Sequence, residues 1–263
     1  MKRFRIVPLE LINRTSGLSI KKLRKVSIIL NERGLVNYIT APYEGLALTT
    51  VGLDTLALKS LTSLNIVSRF GKKIGTGKES DIYCALDPDG NDICLKFYRI
   101  GRVSFKDVIR KRNYVTKYVP WLLRSVEAAS REFKVLRKLY NRGVSVPRPI
   151  ACSWHVVVME FLGGEIVARA KQVKNPDIVL EETLKIVRDA YKNGYVNGDL
   201  SAYNVFVTTD ERVLIIDWPQ AIRKTQRNAL NKLKEDIERL CKYFNKRFNL
   251  DYDCNNLLRK IVL

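Results

Sequence analysis

The stretch Tyr195-Val196-Asn197-Gly198-Asp199-Leu200-Ser201-Ala202-Tyr203-Asn204 decides the fold, together with Ile215-Ile216-Asp217 further along the chain. An Asp, an Asn five residues later and a second Asp closing an apolar strand are the oxygen groups of a phosphotransferase site. The D-x-x-x-x-N spacing alone is a weak signal, because Asp and Asn are common in surface turns. We interpret Asp199 as the catalytic carboxylate, and Asn204 and Asp217 as ligands of the Mg²⁺ that accompanies ATP.

The nucleotide half of such a site lies upstream, in the order that a kinase fold requires. A glycine-rich turn joins two apolar segments, and a Pro-Asp-Gly turn leads into a third, so we predict a three-stranded antiparallel meander. Lys96 on the third strand is placed to reach the α- and β-phosphates, and Glu132 on the following helix is the carboxylate expected to position it. The nucleotide-binding residues predicted here are Gly75, Thr76, Gly77, Lys78, Glu79, Ser80, Lys96 and Glu132.

The segment from Val156 to Gly164 is an apolar strand that runs into an acid and then two glycines, as in the hinge of kinase folds. In such hinges the main chain after the strand pairs with adenine. We therefore expect Glu160 and Leu162 to act by position, with Met159 lining the back of the pocket. His155 is the one histidine of the chain. We interpret it as an exposed residue at a strand end, which leaves little room for imidazole chemistry or histidine metal sites.

Residues 1–68 are predicted to form a winged helix-turn-helix module. A first helix ends near Gly17, Ser19 caps a second helix, and two strand-like segments flank a turn. The apolar stripe predicted for the second helix is Ile20, Leu23, Val26, Ile29 and Leu30. Its cations are candidates for contacts with nucleic-acid phosphates: Lys21, Lys22, Arg24 and Lys25. Modules of this kind also dock on proteins, and that alternative stays open.

Composition favours a polyanionic partner. Forty-seven Lys and Arg against 27 Asp and Glu give a net charge of +20, far more than solubility requires. The excess is concentrated in residues 1–70 and in the long connection from Arg99 to Leu123, and a merely solvated basic surface is the alternative. The aromatic residues of this connection either stack on RNA bases or pack on the protein, and packing is favoured for Trp121.

Cysteine usage and the lack of targeting signals favour a cytoplasmic protein. The five cysteines have no C-x-x-C spacing, so we predict reduced core thiols. The N-terminus lacks the apolar core of a signal peptide. The apolar stretch from Leu46 to Val67 is interrupted by charges and is not expected to span a membrane.

Three motifs resemble those of the RIO family of atypical kinases: Gly75-Thr76-Gly77-Lys78-Glu79-Ser80-Asp81-Ile82-Tyr83, Gly198-Asp199-Leu200-Ser201-Ala202-Tyr203-Asn204-Val205 and Ile216-Asp217-Trp218-Pro219-Gln220. The N-terminal module resembles the winged helix of the second RIO branch, shortened at its start. The resemblance implies an α+β, two-lobed protein-kinase-like fold preceded by a winged helix-turn-helix domain. The implied boundaries are 1–68 for the winged helix and 69–263 for the RIO kinase domain, with a small lobe at 69–159 and a large lobe at 163–263.

The resemblance also implies a function. It implies a serine/threonine protein kinase or ATPase that uses ATP with Mg²⁺, or Mn²⁺ as the alternative. Such an enzyme would act on the maturing small ribosomal subunit and its RNA. It implies an aspartyl-phosphate at Asp217, with Asp199 and Lys96 as the other catalytic residues. Asn197 stands where the family has His. Because Asn keeps a donor and an acceptor, although of shorter reach, we expect the loop geometry to survive.

Two other functions stay open: a nucleotide-regulated ribosome-binding scaffold without turnover, and a small-molecule phosphotransferase. After Asp217 the chain passes almost directly to a basic helix, predicted over residues 226–244, without an activation segment or an A-P-E motif. A restricted substrate, or ATP turnover as the function itself, is therefore favoured. The apolar stripe predicted for this helix is Leu230, Leu233, Ile237, Leu240 and Cys241.

Overall fold

The computed structural model describes residues 6–101 and 121–262. Phe105, Tyr114 and Tyr118, the predicted aromatic contacts of the long connection, lie outside these residues. Two compact units make up the chain: Met1–Ser130 with Cys152–Val157, and Arg131–Ala151 with Val158–Leu263. Residues on both sides of the predicted boundary at 68/69 thus belong to the first unit. No helix in the described ranges is long and apolar enough to cross a membrane.

The N-terminal part of the first unit is a winged helix. Its helices and strands are α1 (Leu9–Ser16), α2 (Ile20–Glu32), α3 (Thr50–Ser63), β1 (Val7–Pro8), β2 (Val36–Ile39) and β3 (Gly45–Leu48), with sheet order β1-β3-β2. As predicted, Gly17 ends α1 with a φ of 69°, and the Ser19 hydroxyl accepts the N–H of Lys22. Helix α3 is absent from the sequence prediction, although it has its own N-cap: the Thr49 hydroxyl accepts the N–H of Gly52.

The predicted apolar stripe of α2 is wrong at one position. Ile29 is 50% exposed, whereas Ser27 is buried and its hydroxyl donates to the Leu23 carbonyl at 2.7 Å. The inward face of α2 runs through Leu23 and Ser27, four residues apart. Ile29 lies two residues beyond Ser27, which is roughly 200° around the helix, so it points to solvent.

The predicted meander is confirmed and forms part of a larger sheet. Strands β4 (Arg69–Thr76), β5 (Ser80–Leu86) and β6 (Asp92–Tyr98) pair antiparallel. Strands β7 (Pro149–Ser153) and β8 (Val156–Glu160) extend the sheet to the order β4-β5-β6-β8-β7. Helix α4 (Trp121–Tyr140) lies between β6 and β7 in the sequence. At its start Trp121 packs on Gly101, where an added Cβ would come within 2.0 Å of the indole ring, so the packing expected for Trp121 is confirmed.

A cluster of charged side chains joins the winged helix to this sheet within the first unit. Arg99 donates to both carboxylate oxygens of Asp54 on α3, at 2.6 and 2.8 Å, and its Nε donates to Asp81 on β5 at 3.2 Å. His155 lies with its Nε2 2.7 Å from Asp54 and is only 1% exposed. The expectation of an exposed His155 is therefore wrong. The half-buried carboxylate of Asp54 requires hydrogen-bond donors, and the buried His155 ring lies next to it.

The second unit is built on small sheets packed with helices. Its remaining elements are α5 (Pro176–Lys192), α6 (Ala229–Phe248), α7 (Cys254–Val262), β9 (Gly164–Ile166), β10 (Tyr195–Val196), β11 (Val205–Thr208), β12 (Val213–Ile215) and β13 (Ile222–Arg223). One sheet has the order β12-β11-β9 and the other pairs β10 with β13. Trp218, Phe244 and Leu200 are among its fully buried side chains.

Two sequence predictions fail in α6. Leu230 was expected in the apolar stripe but is 54% exposed, because the helix begins by burying Ala229 and the next residue points roughly 100° away. Cys241 was expected as a reduced thiol, but it forms a disulfide with Cys254 of α7. The thirteen-residue separation hid this pair in the sequence, since only the turn between the two helices brings the sulfurs together.

We expect Asp54→Asn to lower the free energy of unfolding by about 1–3 kcal/mol, because Arg99 and His155 lose an ionised acceptor. Burial, the largest influence, raises the pKa of Asp54, but hydrogen bonds from His155 and Arg99 outweigh it and the pKa lies below its usual value. A lowered pKa stabilises the folded state above about pH 4, and this contribution is lost as the pH falls through the folded-state pKa. Denaturant unfolding across this range should show the difference between wild type and variant closing at low pH.

The matched control is Asp92→Asn, an exposed Asp on β6. An equal loss of stability in both variants, or a difference independent of pH, would contradict the assigned role of Asp54.

Candidate active site

The predicted catalytic Asp lies on a loop between β10 and β11 in the second unit. Asp199 has a side chain that is 71% exposed. The preceding Gly198 adopts a φ of 81°, and a Cβ there would come within 3.0 Å of the Gln220 carbonyl oxygen. Glycine therefore lets the chain turn tightly enough to present Asp199 to solvent.

Two side chains of helix α6 hold the loop that carries Asp199 through hydrogen bonds. Asp236 is 1% exposed, and its two carboxylate oxygens accept the N–H groups of Gly198 and Leu200 at 2.7 and 2.9 Å. Burial raises the pKa of Asp236 to about 6, although the two backbone donors oppose that rise. One helical turn on, Arg239 donates to the Leu200 carbonyl at 2.9 Å and to Asp199 Oδ1 at 3.0 Å.

Both α6 residues, Asp236 and Arg239, are absent from the sequence prediction. The available signal was an acid on the inward face of a helix: Asp236 directly precedes buried Ile237 and follows buried Leu233 by three positions. Lys and Glu cover most of the exposed surface of this helix, so Arg239 had no sequence signal of its own.

Asn197 joins the two aspartates through hydrogen bonds to their backbone atoms. Its Nδ2 donates to the backbone carbonyl of Asp217 at 3.0 Å, and its Oδ1 accepts the backbone N–H of Asp199 at 3.2 Å. Asn197 is 5% exposed. The expectation that Asn preserves the geometry of the loop agrees with these two bonds, because the amide uses both of its polar atoms.

Asp217 follows β12 and is exposed, with a φ of 71° that non-glycine residues seldom adopt. Hydrogen bonds on both sides fix this conformation. The Ile216 N–H donates to the Asn204 carbonyl at 2.8 Å, and the Trp218 N–H donates to Glu132 Oε1 at 2.9 Å. The buried carboxylate of Glu132 therefore supports the Asp217 turn. Its predicted role toward Lys96 stays a prediction.

The donors near Asp217 suit Mg²⁺, which prefers oxygen ligands and keeps few protein contacts when it is bound to nucleotide phosphates. The Asp217 carboxylate is exposed, and the Asn204 amide is half-buried. Asn204 Oδ1 accepts the N–H and the hydroxyl of Ser201 at 2.8 and 2.9 Å. Metal binding by Asn204 therefore requires its amide oxygen to exchange at least one Ser201 bond.

The predicted phosphate-binding turn lies in the first unit. Residues 77–79 connect β4 to β5, and the Gly77 N–H donates to the Ser80 carbonyl at 2.8 Å. The side chains of Lys78 and Glu79 are exposed, whereas Lys96 on β6 is 6% exposed with its Nζ 5.1 Å from the centre of the Tyr98 ring. The N–H of Arg99 donates to the Glu79 carbonyl at 2.6 Å, which ties the turn to the end of β6.

At the predicted hinge, Glu160 is held by Arg148 through two bonds. The Glu160 N–H donates to the Arg148 carbonyl at 3.0 Å, and Glu160 Oε1 accepts the Arg148 N–H at 2.7 Å. Met159 packs against the core of the second unit. Within residues 6–101 and 121–262, the Leu162 N–H has no hydrogen-bond partner, so it suits the predicted role toward adenine.

The predicted nucleic-acid contacts on α2 are all exposed, but they are not equivalent. Arg24 forms a two-pronged ion pair with Glu44, at 2.9 and 2.8 Å, and the Tyr38 hydroxyl donates to the same carboxylate. No salt bridge to a described residue neutralises Lys21, Lys22 or Lys25. These three lysines are therefore the better candidates for phosphate contacts.

Comparisons with known proteins agree with the three motifs. Residues 81–257 match the family model described as RIO domain, and residues 1–64 match the model described as Rio2, N-terminal. A solved structure of similar fold is the Rio2 kinase-ADP/Mg²⁺-phosphoaspartate complex from Chaetomium thermophilum. Its TM-score is 0.85 at 28% identity, over 99% of this chain and 82% of that one.

Curated relatives include the serine/threonine-protein kinase RIO2 of Caenorhabditis elegans, 33% identical over 96% of this chain and 48% of the relative. The RIO-type serine/threonine-protein kinase Rio2 of Methanocaldococcus jannaschii is 33% identical over 95% of this chain and 94% of the relative. The chain thus spans about half the length of the first relative and nearly all of the second. Because the RIO-domain match covers more than half of its residues, the chain belongs to the RIO family and carries the N-terminal domain of the Rio2 branch.

Proposed function

We propose that the protein is a Mg²⁺-dependent ATPase and serine/threonine kinase of Rio2 type that acts in the cytoplasm on the maturing small ribosomal subunit. The observation that carries the proposal is the fixed arrangement of Asp199 and Asp217. One buried side chain, Asn197, is hydrogen-bonded to the backbone of both. Groups that are held in place before substrate binds need little reorganisation during reaction, which is how phosphoryl-transfer enzymes gain most of their rate.

In the proposed reaction the first acceptor is Asp217. A carboxylate oxygen attacks the γ-phosphorus of ATP, the bond to the β,γ-bridging oxygen breaks, and ADP leaves with the electron pair. Water then attacks the phosphorus of the acyl phosphate while Asp199 accepts its proton, and inorganic phosphate leaves as the Asp217 carboxylate is restored. Asn204 and Asp217 would hold Mg²⁺, which would neutralise charge on the phosphates. The phosphoaspartate named in the Chaetomium thermophilum complex supports this route by analogy.

The remaining residues bind and orient the nucleotide in this proposal. The turn formed by residues 75–80 covers the phosphates with backbone N–H groups, and Lys96 binds the α- and β-phosphates, with Glu132 as its positioning partner. Glu160 and Leu162 bind adenine through the main chain beside Met159. Arg239 orients the Asp199 carboxylate, since its guanidinium lies 3.0 Å away.

The maturing subunit is proposed as the partner because of charge. A net charge of +20 favours a polyanion, and the three unneutralised lysines of α2 (Lys21, Lys22 and Lys25) suit contacts with the RNA backbone. The alternatives are a scaffold that binds nucleotide without turnover and a small-molecule phosphotransferase. The complete set of catalytic groups speaks against the first, and the winged helix and the basic charge speak against the second.

Asp199→Ala should lower the single-turnover rate of ATP hydrolysis by about 10²–10⁴-fold with ATP affinity within a few fold, because a proton acceptor acts in the transition state. Lys96→Ala should weaken ATP binding and turnover together. Calorimetry would give the affinity, and Asp251→Ala, an exposed Asp in the loop after α6, is the matched control. Turnover near wild type in both active-site variants would place the site elsewhere.

Enzyme quenched after incubation with γ-labelled ATP should carry label that hydroxylamine removes, because hydroxylamine cleaves acyl phosphates and spares phosphoserine. Asp217→Asn should carry no label, whereas the control Asp251→Asn should keep it. Label that resists hydroxylamine, or that persists in Asp217→Asn, would instead indicate Ser or Thr autophosphorylation.

We expect Asp236→Asn to raise the stability of the folded state above about pH 6 but to lower ATP turnover. A pKa raised from about 4 to about 6 means that the folded state loses stability as the pH rises through this window, by about 3 kcal/mol at most. The amide carries no buried charge, so the variant should gain stability relative to wild type above about pH 6 and match it near pH 4. Its turnover should fall by about tenfold, since the amide accepts only one of the two loop N–H groups.

Thermal unfolding at both pH values and turnover at pH 7.5 would measure these two effects. A variant that is less stable than wild type at high pH would show that burial of the Asp236 charge does not destabilise the folded state. Unchanged turnover would show that this carboxylate does not hold the loop that carries Asp199. Asp251→Asn again provides the control, because its side chain is exposed.

A further inference from the structure

The second unit contains an open cleft of about 610 Å³ where α4 and α5 end. The end of α4 and its following turn form one side, and the end of α5 with strands β10 and β13 forms the other. Four of the eight lining residues are cations, and none is acidic: Lys138, Arg142, Lys192 and Arg223. We call this feature the basic cleft. It shares no lining residue with the pocket that contains Gly198 and Asp199.

The cations of the basic cleft are not neutralised by the protein. Across residues 6–101 and 121–262 none of the four forms a salt bridge. On α6, in contrast, Lys232 pairs with Glu235 at 2.7 Å, and Lys242 and Lys234 both pair with Glu238. The chain therefore supplies acids to exposed cations on a helix of the same unit but supplies none in the cleft. Four like charges in one concave surface repel each other, so the arrangement favours an external anion.

Helix dipoles account for only part of this charge. The C-terminal ends of α4 and α5 both lie at the cleft, and cations in the last turn of a helix are stabilised by its exposed carbonyl groups. Each helix end is equivalent to roughly half a negative charge, so two ends offset about one of the four positive charges. A surplus of about three remains for a ligand.

The aromatic group of the cleft does not offer a surface for stacking bases. Tyr195 is 6% exposed, and the guanidinium carbon of Arg223 lies 4.3 Å from the centre of its ring. Tyr195 and Arg223 are direct partners across β10 and β13, so the ring instead fixes the position of the guanidinium. A cleft with placed cations and a covered aromatic ring recognises phosphates rather than bases.

We propose that the basic cleft binds the phosphodiester backbone of RNA without reading its sequence, as a second RNA contact in addition to the lysines of α2. This inference rests on the proposed RNA partner. A polymer is favoured over a small anion because the four cations are exposed along an open surface, whereas small-ligand sites are mostly enclosed.

The test measures the affinity of the full-length protein for a fluorescent RNA duplex of about 20 base pairs over a series of KCl concentrations. Lys138→Gln/Arg142→Gln should weaken binding about tenfold or more near 0.1 M salt and lower the slope of log K against log salt by about two. Lys192→Gln should lower the slope by about one. Arg223 is left unchanged because it packs on Tyr195. Arg259→Gln/Lys260→Gln, two exposed cations on α7, is the control and should change neither quantity.

The outcomes distinguish this inference from the proposed RNA partner. Equal losses in the cleft variants and the control would show unspecific charge and overturn the cleft. A loss on Lys21→Gln/Lys22→Gln with none in the cleft variants would overturn the cleft and leave the RNA partner standing. Absence of RNA binding by the wild type would overturn both. If the cleft variants lose binding of inorganic polyphosphate but not of RNA, the site is one for small anions and the inference fails.

Discussion

The loop that carries Asp199, the proposed catalytic residue, depends on one buried carboxylate. Asp236 lies in the core-facing surface of α6 and binds two backbone N–H groups of the loop that carries Asp199. Packing in the hydrophobic core fixes the position of α6 and therefore of the Asp236 carboxylate. The carboxylate in turn fixes the loop that carries Asp199. The position of the proposed catalytic residue thus derives from the hydrophobic core through charged side chains of α6. Burial makes that charge costly, which accounts for its raised pKa, while the two N–H groups and the nearby Arg239 guanidinium offset part of the cost.

Asn197 shows how one small side chain can fix the relative positions of two loop residues. The bonds that relate Asp199 to Asp217 run to backbone atoms, and a small amide with one donor and one acceptor can make both. The Asp217 turn is likewise held through backbone atoms, by Glu132 and by Asn204. The scaffold therefore tolerates side-chain changes wherever hydrogen-bonding capacity and reach are kept.

Sequence patterns predicted those elements whose conformation depends on residues close together in the chain. The caps at Gly17 and Ser19, the β4–β6 meander and the loop containing Asp199 were all readable, because each depends on residues within a few positions. Four features were not predicted: buried His155, the hydrogen bonds of Asp236 and Arg239 to the loop that carries Asp199, buried Ser27 and the Cys241–Cys254 disulfide. Each depends on which face of an element turns inward or on a partner distant in the sequence, and neither is encoded in periodicity alone.

Arg99 restricts the movement of the winged helix relative to the sheet within the first unit. Its side chain binds Asp54 on α3 and Asp81 on β5, while its N–H holds Glu79 in the phosphate-binding turn. A displacement of the winged helix would therefore disturb the predicted phosphate-binding turn through Arg99. If the winged helix moved relative to the sheet, the Arg99 guanidinium would lose its bonds to the Asp54 or Asp81 carboxylate in a half-buried environment. We therefore expect the winged helix and the turn to move together.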